Sequence, residues 1–304
     1  MDGFGGEVEI TVALGGGGAK GAAHIGVLQC LEEAGYTVRA IAGTSIGGII
    51  AAIYAAGYHP TEMLDRFNDL NFKNLYTRRS NDGPALLGVA GIYDILSGMI
   101  GEKEFSELPI PLVVTATDMK TGREVLLKAG RVIDAVLATM ALPGVFPPQE
   151  ISPYFLADGG LVDPVPVEAA RRFAPHLPVI AVPLSRPDAE ENHFIEPLNY
   201  LESQPILHTI ARLRVAQAFN IFVKSFDISS RRLTELKLQV DKPEVIIRPP
   251  VDEIELLESV NIPEIAGRGY QATKDALPQI KEALKMTASL KRIWRGFGQK
   301  DPDE

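Results

Sequence analysis

Three short stretches of the 304-residue chain hold residues whose types and spacing could do chemistry. The first is Gly43-Thr44-Ser45-Ile46-Gly47. A serine in a G-x-S-x-G turn between a strand and a helix is presented above the sheet as a nucleophile, because the flanking glycines permit the strained backbone the turn needs. The helix that follows points amides and positive dipole at a developing oxyanion. The second stretch is Gly16-Gly17-Gly18-Ala19-Lys20-Gly21. Successive amides with almost no side chain between them make an anion-binding concavity. The third is Asp158-Gly159-Gly160, with Asp163-Pro164 shortly after. An aspartate in a glycine turn is by itself ordinary turn chemistry, its carboxylate bonded to nearby amides. In the company of a serine nucleophile it becomes a candidate base.

Rival readings of these residues are weighed on the same positions. Gly16 to Gly21 also satisfies G-x-G-x-x-G, which in a dinucleotide site is followed about 20 residues later by an acidic residue ending the second strand. Here that strand ends in Ala42-Gly43-Thr44-Ser45, with no carboxylate. A mononucleotide P-loop needs Ser or Thr after its lysine, and Lys20 is followed by Gly21. A Ser-Asp-His triad would draw on His176, His193 or His208, which follow Asp158, but each sits in a setting typical of surface or packing residues. His24, close to the glycine loop, reads as packing. No His/Cys/Asp cluster has metal-ligand spacing, so neither a metal nor another cofactor is expected.

The elements that must position these groups follow from periodicity. Val8–Leu14 reads as a buried strand, Lys20–Ala34 as a helix ended by Gly35, Val38–Ala42 as a second strand and Ile46–Ala56 as a second helix. Strand–helix–strand–helix with short links predicts an α/β fold with a mostly parallel sheet. The His59–Leu108 stretch is irregular and partly apolar, the pattern of a lid or cavity wall. Strands are predicted at Leu112–Asp118, Arg123–Leu127, Tyr154–Leu156, Val179–Leu184 and Val245–Arg248. Helices are predicted at Val132–Met140, Ile206–Phe226 and Pro263–Lys285, and a disordered tail after Gly296.

Composition bounds the function. With 46% apolar and 23% charged residues the chain is an ordinary globular protein. A formal charge of -9 disfavours nucleic acid as a partner. The lone Cys30 rules out an intrachain disulfide, and Met1–Glu9 lacks a basic segment before an apolar core, so the expected location is the cytoplasm. Ile280–Phe297 places Ile280, Ala283, Leu284, Leu290, Trp294 and Phe297 on one helical face beside Lys291, Arg292 and Arg295. Such a face either packs on the domain or lies at a lipid interface, making the protein peripheral to the membrane.

Taken in order, the glycine loop, the elbow and the Asp-Gly-Gly turn resemble the patatin-like phospholipase family, as does Ala138-Thr139-Met140-Ala141-Leu142-Pro143, with Thr139 where the family usually has Ser. The resemblance runs from about Val8 to Ala272 and is closest to the small, single-domain bacterial members. It implies a three-layer patatin-like α/β fold over residues 8–272, with 273–304 as a C-terminal helical extension and tail. It also implies a serine acyl-hydrolase acting on a lipid or other acyl ester. Ser45 would be the nucleophile, Asp158 the base, and the amides of Gly16, Gly17, Gly18 and Ala19 the oxyanion hole. Lys20, Gly21, Gly43, Gly47, Gly159 and Gly160 would support the motifs. The alternatives on the same residues are a non-catalytic lipid-binding or regulatory protein and nucleotide binding through the glycine loop. Head group, chain length, oligomeric state and the role of 59–108 stay open at this point.

Overall fold

Alternation along the strands assigns the layers. Ile10, Val12 and Leu14 of the first strand, β1 (Val8–Leu14), join one apolar cluster, while Ala13 joins another. Val179 and Ala181 part from Ile180 and Val182 in the same way, as Val113 does from Leu112 and Val114. Side chains of successive strand residues point to opposite faces, so each strand feeds two cores. The computed structural model describes residues 8–68, 76–78, 85–187 and 206–297. On one face pack α1 (Ala22–Glu33), α2 (Ile46–Ala55), α5 (Val132–Thr139) and α8 (Ile262–Phe297), through residues such as Leu28, Ile50, Ile133 and Ile280. On the other lie α6 (Val167–Phe173), with Val167 and Ala170, and the end of α7 (Ile206–Asp241), with Leu238. The result is a three-layer α/β fold.

Hydrogen-bonded neighbours link the strands in the sequence β5 (Gln149–Ile151), β6 (Tyr154–Asp158), β3 (Leu112–Asp118), β2 (Tyr36–Thr44), β1, β7 (Val179–Val182) and β8 (Val245–Ile246), with β6 and β2 on the same edge of β3 and β4 (Arg123–Leu127) on its other edge. The pairs β1–β2, β2–β3, β1–β7 and β7–β8 are parallel, and the pairs involving β4, β5 and β6 are antiparallel. The sheet is thus mostly parallel at its centre with an antiparallel edge.

Some boundaries differ from expectation. The first helix starts as a 3-10 turn, Gly18–Gly21, before α1. The helix predicted to end at Phe226 continues to Asp241, since no Gly or Pro interrupts it before Pro243. Pro278 does not stop α8. The expected 272/273 boundary falls inside that helix, where Ala276, Ile280 and Ala283 are buried in the main core. Ile280 and Ala283 therefore face the domain, while the side chains of Leu290, Trp294 and Phe297 and the tail 298–304 lie outside the described residues. α1 and α8 meet backbone to backbone: a Cβ on Gly26 would lie 1.8 Å from the Ala266 carbonyl, and one on Gly269 1.9 Å from that of Ala23. Among the described residues no helix is long and apolar enough to cross a membrane.

The irregular stretch forms α3 (Pro60–Asn68) and α4 (Ala90–Met99). Residues 69–75 and 79–84 of it lie outside the described residues.

Candidate active site

Ser45 and Asp158 are brought together by two strands that meet head-on. β4 occupies one edge of β3 over Val114–Asp118, so β2 and β6 must share the other. On that edge β2 pairs with Leu112–Thr115 and β6, running the opposite way, with Ala116–Asp118. Thr44 faces Thr115 and Asp158 faces the next residue, Ala116. The C-terminal ends of β2 and β6 therefore converge at one point of β3. The Ser45 hydroxyl donates to Asp158 Oδ2 at 2.7 Å.

Both residues are held at every polar atom. Ser45 has φ 54° and ψ -126°, a conformation that costs a non-glycine residue about 1–3 kcal/mol and persists only where its surroundings over-determine it. Its N–H donates to the Thr139 hydroxyl at 2.8 Å, and its carbonyl accepts from the Gly48 and Ile49 amides at 2.9 and 3.2 Å. Gly47 is required by close approach, because a Cβ there would stand 2.3 Å from the Leu14 carbonyl. Asp158 takes the Gly160 amide on Oδ1 at 2.7 Å, donates its own N–H to Ala141, and accepts the Thr117 hydroxyl on its carbonyl at 2.8 Å. Behind the pair, the Thr44 hydroxyl donates to the Asp163 carbonyl at 2.8 Å and also lies 2.6 Å from that of Thr115. A hydroxyl has one hydrogen, so Thr115 is the donor in the second contact. Burial raises the Asp158 carboxyl to about 6, against the opposing pull of the Ser45 hydroxyl and the Gly160 amide.

The glycine loop lies against Ser45: a Cβ on Gly16 would be 3.3 Å from that of Ser45. Its four expected donors are not equivalent. The Gly16 amide is bonded to the Pro164 carbonyl and that of Ala19 to the Leu256 carbonyl, at 3.0 and 2.9 Å, which removes both from the expected oxyanion set. The Gly17 and Gly18 amides have no backbone acceptor among the described residues. Gly18 has φ 57°, and a Cβ there would fall 2.0 Å from the Leu256 carbonyl, so the 249–261 loop clamps this turn. Gly21, Gly43 and Gly159 are crowded likewise by Ile46, Gly47 and Thr115, and Gly160 abuts Phe226. Lys20 is buried, with its ammonium 3.8 Å from Asp227 of α7.

Ser45, Asp158 and the Gly17–Gly18 turn open on one cavity. Its walls are largely apolar, with Ile49 from α2, Phe67 from α3, Ile92 and Leu96 from α4, Phe146 after α5 and Leu257 from the clamping loop. The 59–108 stretch thus supplies one wall.

The imidazoles of the described residues stand elsewhere. His24 is fully buried, and its Nε2 lies 2.8 Å from the Gly15 carbonyl, so that nitrogen carries the proton. Burial holds its pKa down at about 4, which leaves it neutral as a brace for the end of β1. His59 and His176 are exposed, while His193 and the side chain of His208 lie outside the described residues. The direct 2.7 Å contact leaves no space for a ring between serine and carboxylate.

The patatin-like phospholipase profile matches residues 12–171, which take in the glycine loop, the elbow and the Asp-Gly-Gly turn. The chain belongs to the patatin-like phospholipase family. An uncharacterised NTE family protein of Mycobacterium tuberculosis is 35% identical over 196 residues, 62% of this chain and 52% of that protein. Lysophospholipase NTE1 of Candida glabrata is 26% identical over 293 residues, 91% of this chain and 16% of that protein. The chain spans about half the length of the mycobacterial relative and a smaller part of the fungal one. The crystal structure of VipD from Legionella pneumophila is similar with a TM-score of 0.48 at 15% identity, over 93% of this chain and 67% of that one.

The position at which this patatin-like chain departs from the family's usual Ser is the residue that sequence reasoning undervalued. Thr139 reads as peripheral in sequence, yet its hydroxyl is the acceptor for the Ser45 amide and is itself buried. Serine and threonine both carry a hydroxyl that can accept this bond.

Proposed function

We propose that the protein is a serine acyl-hydrolase that cleaves lipid acyl esters, with Ser45 as nucleophile and Asp158 as its only base. The observation that carries this reading is the 2.7 Å hydrogen bond between them in the wall of a mainly apolar cavity. The chemistry follows from the geometry. Asp158 takes the proton as Ser45 Oγ attacks the ester carbonyl, and the oxyanion settles on the Gly17 and Gly18 amides. Asp158 then returns the proton to the leaving alcohol. Water, activated by the same carboxylate, releases the acyl group and restores the serine. The Ser45 amide is bound to Thr139 and so takes no part in the oxyanion hole. The cavity accepts the acyl chain, whose burial is driven by apolar contact. The lysophospholipase name of the fungal relatives makes a lysophospholipid the first substrate to try, alongside p-nitrophenyl esters of increasing chain length. Turnover of long-chain esters above short ones supports the reading, and no ester hydrolysis by the pure protein refutes it.

A base at about 6 sets the pH dependence. Below that value the carboxyl is protonated and cannot accept the serine proton. We expect kcat/KM for a neutral ester to rise about tenfold per pH unit up to a midpoint near 6, then level off. A profile already flat from about pH 4, the ordinary carboxylate range, would show that Asp158 is not the titrating base.

Thr139 should act as a positioning residue. Thr139→Val keeps its shape but leaves the Ser45 amide without an acceptor, at a cost of about 1–3 kcal/mol. We expect kcat to fall on the order of 10–100-fold with KM little changed, and Thr139→Ser to restore it. Equal loss in the Ser and Val variants would reduce the residue to packing.

A further inference from the structure

We propose that the outward face of α7 is the surface on which the protein docks to a phospholipid bilayer, a proposal that rests on the lipid-ester reading above. From Phe219 to Asp241 the two sides of this helix differ. Inward, Phe226 packs against Gly160, Asp227 reaches Lys20, Arg231 lines the cavity, and Thr234 and Leu238 are buried. Outward, the exposed positions over Ile221–Val240 are 221, 222, 225, 228, 229, 232, 236, 239 and 240. Five of these nine are apolar: Ile221, Phe222, Ile228, Leu236 and Val240, at 65, 41, 41, 60 and 75% exposure. The spacing puts them on one stripe, which at 1.5 Å per residue is about 28 Å long. Single exposed hydrophobes are ordinary, but five on one helix face mark a contact surface.

Charge and position identify the occupant as a bilayer. The chain carries 39 acidic and 30 basic residues, yet the exposed positions of 221–240 hold no carboxylate and one arginine, Arg232. The acidic residues of this stretch are turned to protein partners: Asp227 to Lys20 and Arg231, Glu235 to Arg248, Asp241 to Lys237. A face cleared of negative charge suits a surface of lipid phosphates. It is also continuous with the site. The turn that carries Asp158 packs on α7 and itself exposes Leu161 at 38%. The outward stripe and the cavity lie on opposite sides of one helix, about 10 Å across, comparable with the 5–10 Å to which interfacial helices sink. A protein seated on this stripe keeps the cavity that α7 borders within about one helix diameter of the bilayer surface.

The test uses the full chain and vesicles of phosphatidylcholine with and without anionic phosphatidylglycerol. The triple variant Ile228→Asp, Leu236→Asp, Val240→Asp changes only exposed side chains. We expect its vesicle-bound fraction in co-sedimentation to drop about tenfold or more, and hydrolysis of vesicle lipid to drop in parallel. Turnover of a water-soluble short ester should stay within about twofold of wild type, and Ser45→Ala should bind vesicles as wild type does. Vesicle binding lost in the triple variant of a protein that hydrolyses no ester would uphold docking while refuting the acyl-hydrolase reading. Absence of wild-type binding, or equal binding by the triple variant, overturns docking. So does a wild-type dimer in light scattering that the triple variant converts to monomer without any vesicle binding, since the stripe then meets a second copy.

Discussion

Ser45→Ala is expected to lower ester turnover by at least about 10⁴-fold, because the loss of the nucleophile removes the covalent route and leaves only binding and oxyanion contacts. The stability of the variant discriminates further. Ser45 sits at φ 54° and ψ -126°, where any Cβ is strained. Alanine keeps that strain and loses the hydrogen bond to Asp158, whereas glycine relieves it. Ser45→Gly should thus be as inactive as Ser45→Ala yet more stable by about 1–2 kcal/mol, measured by denaturant unfolding. Equal stability of the two would mean that the turn is not strained in solution.

Asp158→Asn is expected to reduce turnover on the order of 10³-fold while making the protein more stable at neutral pH. The Asn amide can donate to Ser45 Oγ and its carbonyl can accept from the Gly160 amide, so the site stays paired, but it cannot take a proton. The sign of the stability change comes from linkage. In the folded protein the Asp158 carboxyl is raised from 3.8 to about 6 by burial. Its contribution is therefore complete below about pH 4 and lost as pH rises through 6, where wild type must keep a buried carboxylate ionised. Two pKa units correspond to about 3 kcal/mol. The stability of the variant relative to wild type should climb between about pH 4 and 6 and hold above that. A variant destabilised equally at every pH would remove the buried-charge argument.

Much of this was legible in the sequence, and the exceptions share a cause. Leu112–Asp118 and Arg123–Leu127 have the ends their alternation predicts. The elbow and the glycine turns are local devices, readable because their chemistry depends on near neighbours. What the sequence hides is contact across long separations. The family resemblance pairs Asp158 with Ser45. Asp158 arrives there on an antiparallel strand whose register against β3 depends on distant pairing. Two of the four loop amides are taken by Pro164 and Leu256, and nothing near Gly16 or Ala19 announces those carbonyls. The Thr139 bond to the Ser45 amide spans 94 residues. The second half of α7 opens with polar Ser229, Ser230, Arg231 and Arg232, which mask helical periodicity until the buried Thr234 and Leu238 are seen to face inward. The short β5 pairs with β6, and its three residues carry no strand signal of their own.

The central claim, that Ser45 is a nucleophile activated by Asp158 alone, is tested most directly by labelling with a serine-directed fluorophosphonate followed by peptide mapping. The account predicts one adduct, on Ser45, absent in Ser45→Ala, strongly slowed in Asp158→Asn and unchanged in rate when His176, His193 or His208 is replaced. An unlabelled protein, an adduct on another residue, or a histidine variant that folds but no longer reacts would contradict it.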